Sequence, residues 1–499
     1  MCLSVVMNLP PKKIVIIGSG VAALASACRL AYAGHQVRLF EASNRPGGKL
    51  VSITNGDFRF DAGPSLFTLP EVLDDVFVGC AKNPRDYYQY LRKKNICNYF
   101  FADGTAFTAP ADAEKFAENA EKTFGVPKRK TQQYLQASEE KYHSTAPIFL
   151  RKSLHKASTY FSRDVIAALK ALPKLGLLST LHRDNARVLG EQRLTQLFDR
   201  YATYNGSSPY QTPGIMSMIP HLEMGIGTFF PKGGMIRITE ALFQLAKDLG
   251  VQFEFDARVT AIRHNKKRVA GISLGERNVP ADVVICNMDV VAAYRKLLPD
   301  LRLPSKVAQA ERSSSGIIFY WGIRGSFPQL DLHNILFSGK YREEFEAIFQ
   351  NKTLIDDPTV YINISSKEEK TDAPEGCENW FVMINAPTNV GQDWDQLIAQ
   401  SKKNILQKIH RTLNCDISNS IMCETVLDPR SIESRTSSLG GSLYGTSSNS
   451  RMAAFLRHPN FSKIKGLYFC GGSVHPGGGI PLCLYSGKIV SDMITHDIR

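Results

Sequence analysis

Residues 13–41 hold the spacing with the clearest chemical consequence. A basic-apolar run, Lys13 to Ile17, enters a glycine turn, Gly18-Ser19-Gly20. Ala22 and Ala23 open an Ala-rich helical pattern that runs to Leu30, and a second strand pattern, Gln36 to Phe40, ends at Glu41. Gly18 permits the tight strand-to-helix turn, and Gly20 lets the backbone approach a pyrophosphate at the helix N-terminus. Ala23 stands in the third glycine position and keeps the helix close to the strand. Glu41 follows Gly20 at about 20 residues, where a carboxylate can accept from ribose hydroxyls. The chemistry these residues can do together is dinucleotide binding.

The next residues choose among dinucleotides. Ser43-Asn44-Arg45-Pro46-Gly47-Gly48-Lys49 places a glycine pair beside cations, which gives backbone freedom and positive charge near phosphate. The spacing E-x3-R-x-G-G-K resembles the extended FAD motif of glutathione-reductase-like and amine-oxidase-like flavoproteins. Phe60-Asp61-Ala62-Gly63-Pro64-Ser65 is similar to the corresponding segment of the bacterial phytoene-desaturase-type carotenoid oxidoreductases. Far away in the chain, Gly466 to Pro481 reads GLYFCGGSVHPGGGIP, a strand, a glycine-rich turn and a helix start. That run resembles the C-terminal signature of the same carotenoid group. Amine oxidases carry an acid where this chain has Gly472.

The resemblance implies a flavin site built from Gly18, Ser19, Gly20, Ala22, Ala23, Glu41, Arg45, Gly47, Gly48, Lys49, Pro64, Ser65, Val259, Gly471, Gly472, Gly479, Ile480 and Pro481. Val259 enters through Arg258-Val259-Thr260, where related flavoproteins bring backbone to the adenine. Ala281 to Asp289 reads as a strand ending in a polar turn, similar to another family segment.

Two motifs at opposite ends of the chain must therefore meet. The expected fold is α/β, a Rossmann-type FAD-binding domain assembled from both chain ends with an inserted α+β substrate domain, in the amine-oxidase-like architecture. The expected boundaries are 10–80, 228–292 and 440–499 for the FAD domain, and 81–227 and 293–439 for the substrate domain. Within the insertion, an Asp103-Gly104 hairpin precedes mostly helical sequence from Pro110 to about Leu222. The β-rich run Ser313 to Gly322 is expected to floor the substrate cavity. Its Phe319, Tyr320 and Trp321 fit either a polyene tunnel or a plain core.

With 499 residues and 43% hydrophobic content, the chain can bury a large core. Ten cysteines without a CxxC pair point to buried thiols and away from a zinc ribbon. No metal site is expected. No apolar run is long enough to span a membrane, and the start reads as a frayed terminus without a signal peptide. The net charge of +13 comes without a nucleic-acid-binding motif, so nucleic acid is not an expected partner. Between Arg151 and Arg183, seven Lys/Arg face one acid and alternate with leucines. That pattern suits an interfacial amphipathic segment, and equally an ordinary surface helix pair. The expected location is cytoplasmic, peripherally bound to the membrane.

The resemblance implies FAD-dependent removal of hydrogens from a carotenoid C–C bond, with oxygen or a quinone as electron acceptor. The wording around Cys470 and the segment His333 to Phe345 look most like carotenoid 3,4-desaturases acting on 1-hydroxycarotenoids. Phytoene desaturation is the alternative, followed by a carotenoid isomerase or saturase, an amine oxidase, and a non-catalytic carotenoid-binding flavoprotein. Glu223 and Asp289 are the candidates for accepting the departing proton.

Overall fold

The computed structural model describes residues 11–156, 159, 175–450, 452–453 and 457–497. A five-stranded sheet takes its strands in the order Leu467–Phe469, Val283–Cys286, Lys13–Ile17, Gln36–Phe40 and Gln252–Glu254. Every neighbouring pair is parallel. Strands so distant in sequence can pair because each is an apolar run buried on both faces, as parallel strands require. Ile14 and Ile16 point into one core with the helices Val21–Tyr32, Ile236–Asp248 and Ile480–Asp497. Val15 and Ile17 point into the other, against the antiparallel strands at 261–280 and the helix Val290–Leu297.

Small residues let the first and last helices touch. A Cβ on Gly487 would lie 2.6 Å from Ala22 O, and Ser26 Oγ donates to Gly487 O at 3.2 Å. Both chain ends are thus locked behind one edge of the glycine turn. The last helix begins at Ile480, two residues before its apolar pattern starts, directly after Gly479 at φ +107°.

A second sheet has seven strands in the order Ile421–Leu427, Ser315–Arg324, Cys377–Ala386, Val360–Asn363, His333–Leu336, Asn95–Phe100 and Ala106–Pro110. All neighbours are antiparallel except His333–Leu336 beside Asn95–Phe100. The hairpin at Asp103-Gly104 closes the last pair, with Asp103 Oδ1 accepting from Thr105 N at 3.0 Å. Phe319 and Trp321 pack with Trp380 and Trp394 in an outer core. Tyr320 joins Phe60 and Phe381 on the inner face. None of the three lines the cavity, and Ile318 is the residue of that strand that does. The aromatic run is core.

Helices Ala113–Phe124, Lys128–Phe149, Leu181–Leu189 and Gln192–Asp199 lie over the inserted sheet. Between 200 and 226 the chain tightens into 3₁₀ turns, Arg200–Asn205 and Gly214–Met218, and a π turn, His221–Ile226. These irregular turns carry side chains into the cavity, a placement common for such turns at functional sites. Much of the basic-apolar run at 151–183 (157, 158 and 160–174) lies outside the described residues. Among the described residues, no helix is long and apolar enough to cross a membrane.

Candidate active site

A single cavity of about 1000 Å³ joins the glycine turn to the inner face of the seven-stranded sheet. At one end, Gly20 is the N-cap of the first helix and no side chain caps it. The first amides of that helix are left for an anion. Gly47 N donates to Ser19 O at 3.1 Å, which closes the glycine pair over the turn. Glu41 sits beside it. Its Oε2 accepts from Ser19 N (2.8 Å) and Ser19 Oγ (2.7 Å), and its Oε1 accepts from Ser43 N (2.9 Å) and Ser43 Oγ (3.0 Å). A dinucleotide needs this combination: close backbone, free amides and a carboxylate at the end of the second strand. The chain fits FAD.

Asn287, which sequence reasoning passed over, joins the three segments that make this end. Its backbone N donates to Ile17 O at 2.9 Å, and its Nδ2 donates to Cys470 O at 2.9 Å. A Cβ on Gly20 would fall 2.5 Å from Asn287 Oδ1, and one on Gly471 would fall 2.6 Å from Nδ2. The signal was present in the turn after Ala281-Asp-Val-Val-Ile-Cys, where a strand of the same sheet ends. The glycine turn after Cys470 is equally tight, since a Cβ on Gly472 would lie 3.2 Å from Gly478 Cα. Gly472 leaves no room there for the acid of amine oxidases.

Lys49 reaches across the middle of the cavity. Its Nζ donates to Ser442 O (3.1 Å) and Leu443 O (2.9 Å). Burial pushes its pKa down to about 8, and Asp289 opposes the shift. Asp289 itself is committed elsewhere. Its Oδ1 accepts from Val291 N at 3.0 Å and Ala292 N at 3.3 Å, capping the helix Val290–Leu297, and its Oδ2 pairs with Arg312. These partners make it a structural anion at the cavity wall.

The far end is apolar, with Ile96, Met216, Met218, Ile219, Leu222 and Ile335 in its wall. One buried ion pair interrupts it. Glu223 Oε2 accepts from Arg200 Nη2 and from the Tyr201 hydroxyl, each at 2.6 Å. Glu223 is 1% and Arg200 7% exposed. The guanidinium also lies over the rings of Tyr99, Tyr201 and Tyr204. Sequence gave no hint of Arg200, because its partner sits 23 residues away on a different turn.

The cavity wall contains Gly18, Ser19, Gly20, Ala22, Glu41, Gly47, Gly48, Lys49, Pro64, Ser65, Val259, Gly471, Gly472, Gly479, Ile480 and Pro481, together with Glu223 and Asp289. Two expected cofactor residues stand apart. Ala23 is fully buried between helices, and its role is packing. Arg45 is exposed outside the wall, and its guanidinium donates to Ser52 O at 3.0 Å, so it steadies the loop from behind.

The model of the family described as flavin containing amine oxidoreductase matches residues 21–495. A 1-hydroxycarotenoid 3,4-desaturase of Flavobacterium sp. is 55% identical over 486 residues, covering 97% of this chain and 99% of the relative. A 4,4'-diapophytoene desaturase (4,4'-diaponeurosporene-forming) of Staphylococcus aureus is 32% identical over 98% of this chain and 99% of its own. Among solved structures, an oxidoreductase from Methanosarcina mazei superimposes with a TM-score of 0.62 at 16% identity, covering 96% of this chain and all of the other. That likeness speaks for the fold.

Proposed function

The chain belongs to the flavin containing amine oxidoreductase family, and from that premise we propose that it desaturates the C3–C4 bond of a 1-hydroxycarotenoid. It is an FAD-dependent oxidoreductase of the carotenoid desaturase group. The observation that carries the substrate reading is the 55% identity, sustained over almost the whole of both chains, to a protein of that activity. The cavity supports it, since one space joins a dinucleotide cradle to an apolar chamber.

The proposed FAD unit spans 10–80, 228–292 and 440–499, the three segments that supply the parallel sheet. The proposed substrate unit spans 81–227 and 293–439. The uncapped helix amides after Gly20 would hold the pyrophosphate, and Glu41 the ribose hydroxyls in place of Ser19 Oγ and Ser43 Oγ. Lys49 and the turn Gly471 to Pro481 would hold the flavin end. When bound, FAD supplies the acceptor for a hydride, while the second hydrogen leaves the adjacent carbon as a proton. The apolar residues at the far end orient the chain and keep water from the reacting carbons.

The experiment offers a 1-hydroxycarotenoid and phytoene in parallel to holoenzyme supplied with oxygen or a quinone. A red-shifted product should form from the hydroxylated carotenoid, and turnover should stop after one equivalent once the electron acceptor is withdrawn. A red shift from phytoene alone would transfer the assignment to phytoene desaturation. No product from either would remove the desaturase reading.

Peripheral membrane contact through 151–183 is the proposed route for so apolar a substrate. Leu178 is 80% exposed beside Leu175 and Leu177, which line the cavity. Each basic residue at an anionic surface adds about 1 kcal/mol. The protein should float with anionic liposomes at low salt and lose that behaviour when Arg151, Lys152, Lys156 and Arg183 are changed to Glu. A wild-type protein that stays unbound would end the proposal.

A further inference from the structure

His333 is buried, 4% exposed, and lines the cavity from the start of the strand His333–Leu336. Its Nδ1 lies 3.2 Å from Asn363 Nδ2 and 2.8 Å from the Tyr361 hydroxyl, which in turn is 2.8 Å from Ser65 Oγ. Asn363 Nδ2 also donates to Leu332 O at 2.9 Å, which fixes the amide with its nitrogen toward the ring. An amide nitrogen only donates, so Nδ1 is the acceptor. Burial, with Lys93 adding to it, pushes the ring's pKa down to about 3, so the imidazole is neutral and its proton sits on Nε2. Nε2 has no hydrogen-bond partner.

Two further groups in the same wall are unmatched. Arg200 Nε is buried without a partner, and both hydrogen bonds to Glu223 end on Oε2, leaving Oε1 free of any described donor. Buried polar groups left unmatched are rare in native proteins and call for a reason. A pure hydrocarbon would seal these groups in without matching them. A substrate with one hydroxyl at its end matches a donor and an acceptor at once. Its oxygen accepts from an N–H, and its hydrogen is donated to a carboxylate oxygen.

We propose that His333 Nε2–H and Glu223 Oε1 grip the C1 hydroxyl of the carotenoid and so set its preference for hydroxylated substrates. The inference rests on the desaturase reading above and adds the residues that read the end group. It also explains positioning. A hydroxyl oxygen on C1 is three bonds from C3, so fixing it places the C3–C4 bond at a set distance from His333. From there Tyr361 links to Ser65, in the segment assigned to the flavin side. His333 and Glu223 act as specificity-determining residues.

The test compares kcat/KM for a 1-hydroxylated lycopene and for lycopene itself, using FAD-replete wild type, His333→Leu and His333→Gln. Flavin content and the thermal midpoint of each variant are measured first. The wild type should favour the hydroxylated substrate, and His333→Leu should lower that preference about ten- to a hundredfold. His333→Gln retains an N–H donor and should keep most of it. A preference unchanged in FAD-replete His333→Leu overturns the proposal, as does a Gln variant that falls as far as Leu. Wild type that converts both substrates equally also overturns it while leaving the desaturase reading intact. Wild type inert toward both defeats the desaturase reading itself.

Discussion

Replacing Gly20 with valine should give protein that purifies without flavin. A Cβ there would fall 2.5 Å from Asn287 Oδ1, and the branched side chain adds two more methyl groups into the same space. Asn287 cannot step aside cheaply, because its amide holds Cys470 O at 2.9 Å and its backbone holds Ile17 O at 2.9 Å. Overpacking of this kind costs typically 1–3 kcal/mol in the fold itself. The ligand loses more, since the backbone at Gly20 is the surface a pyrophosphate must approach. Flavin absorbance per mole of protein reads the result. A Gly20→Val protein with full flavin occupancy would show that the dinucleotide binds elsewhere.

The second large effect is expected at the buried ion pair. Arg200→Met should destabilise the protein by about 3–5 kcal/mol, because it leaves the Glu223 carboxylate buried without its cation. The double change Arg200→Met with Glu223→Gln should recover much of that loss, since a neutral amide is cheaper to bury than an unpaired charge. The exposed pair Arg430–Asp395, with side chains 44% and 84% exposed, gives the contrast. Removing it should cost less than about 1 kcal/mol. Urea unfolding midpoints of the four proteins decide the matter. An Arg200→Met variant as stable as wild type would mean that the pair does not hold this end of the cavity together. So would a double variant no better than the single one.

The dinucleotide half was legible in the chain because its chemistry is local. A tight turn, a close backbone approach and an uncapped helix start are properties of a few consecutive residues, so Gly18, Gly20, Gly47, Gly48 and Glu41 identify themselves by type and spacing. The meeting of the two chain ends also followed from sequence, since both motifs need one cofactor. Strand–turn–helix patterns at 13–41 and 466–481 carried that signal on their own.

The rest depended on register and burial across long distances. The strand Ser315–Arg324 is covered on both faces, so its side chains show no alternation of apolar and polar types to mark the inward one. Only the pairing Ile318 with Met383 and Phe319 with Val382 decides that Ile318 faces the cavity and Phe319 the outer core. Asp289 looked available as a base until the helix after it and Arg312 were seen to occupy both oxygens. Asn287 gained its place because three strands of one parallel sheet end beside it. The same holds for Arg200 and His333. Sequence supplies their side chains, but their partners come from other turns and neighbouring strands. Whether a buried donor is matched or left to face a ligand is settled only when those elements pack.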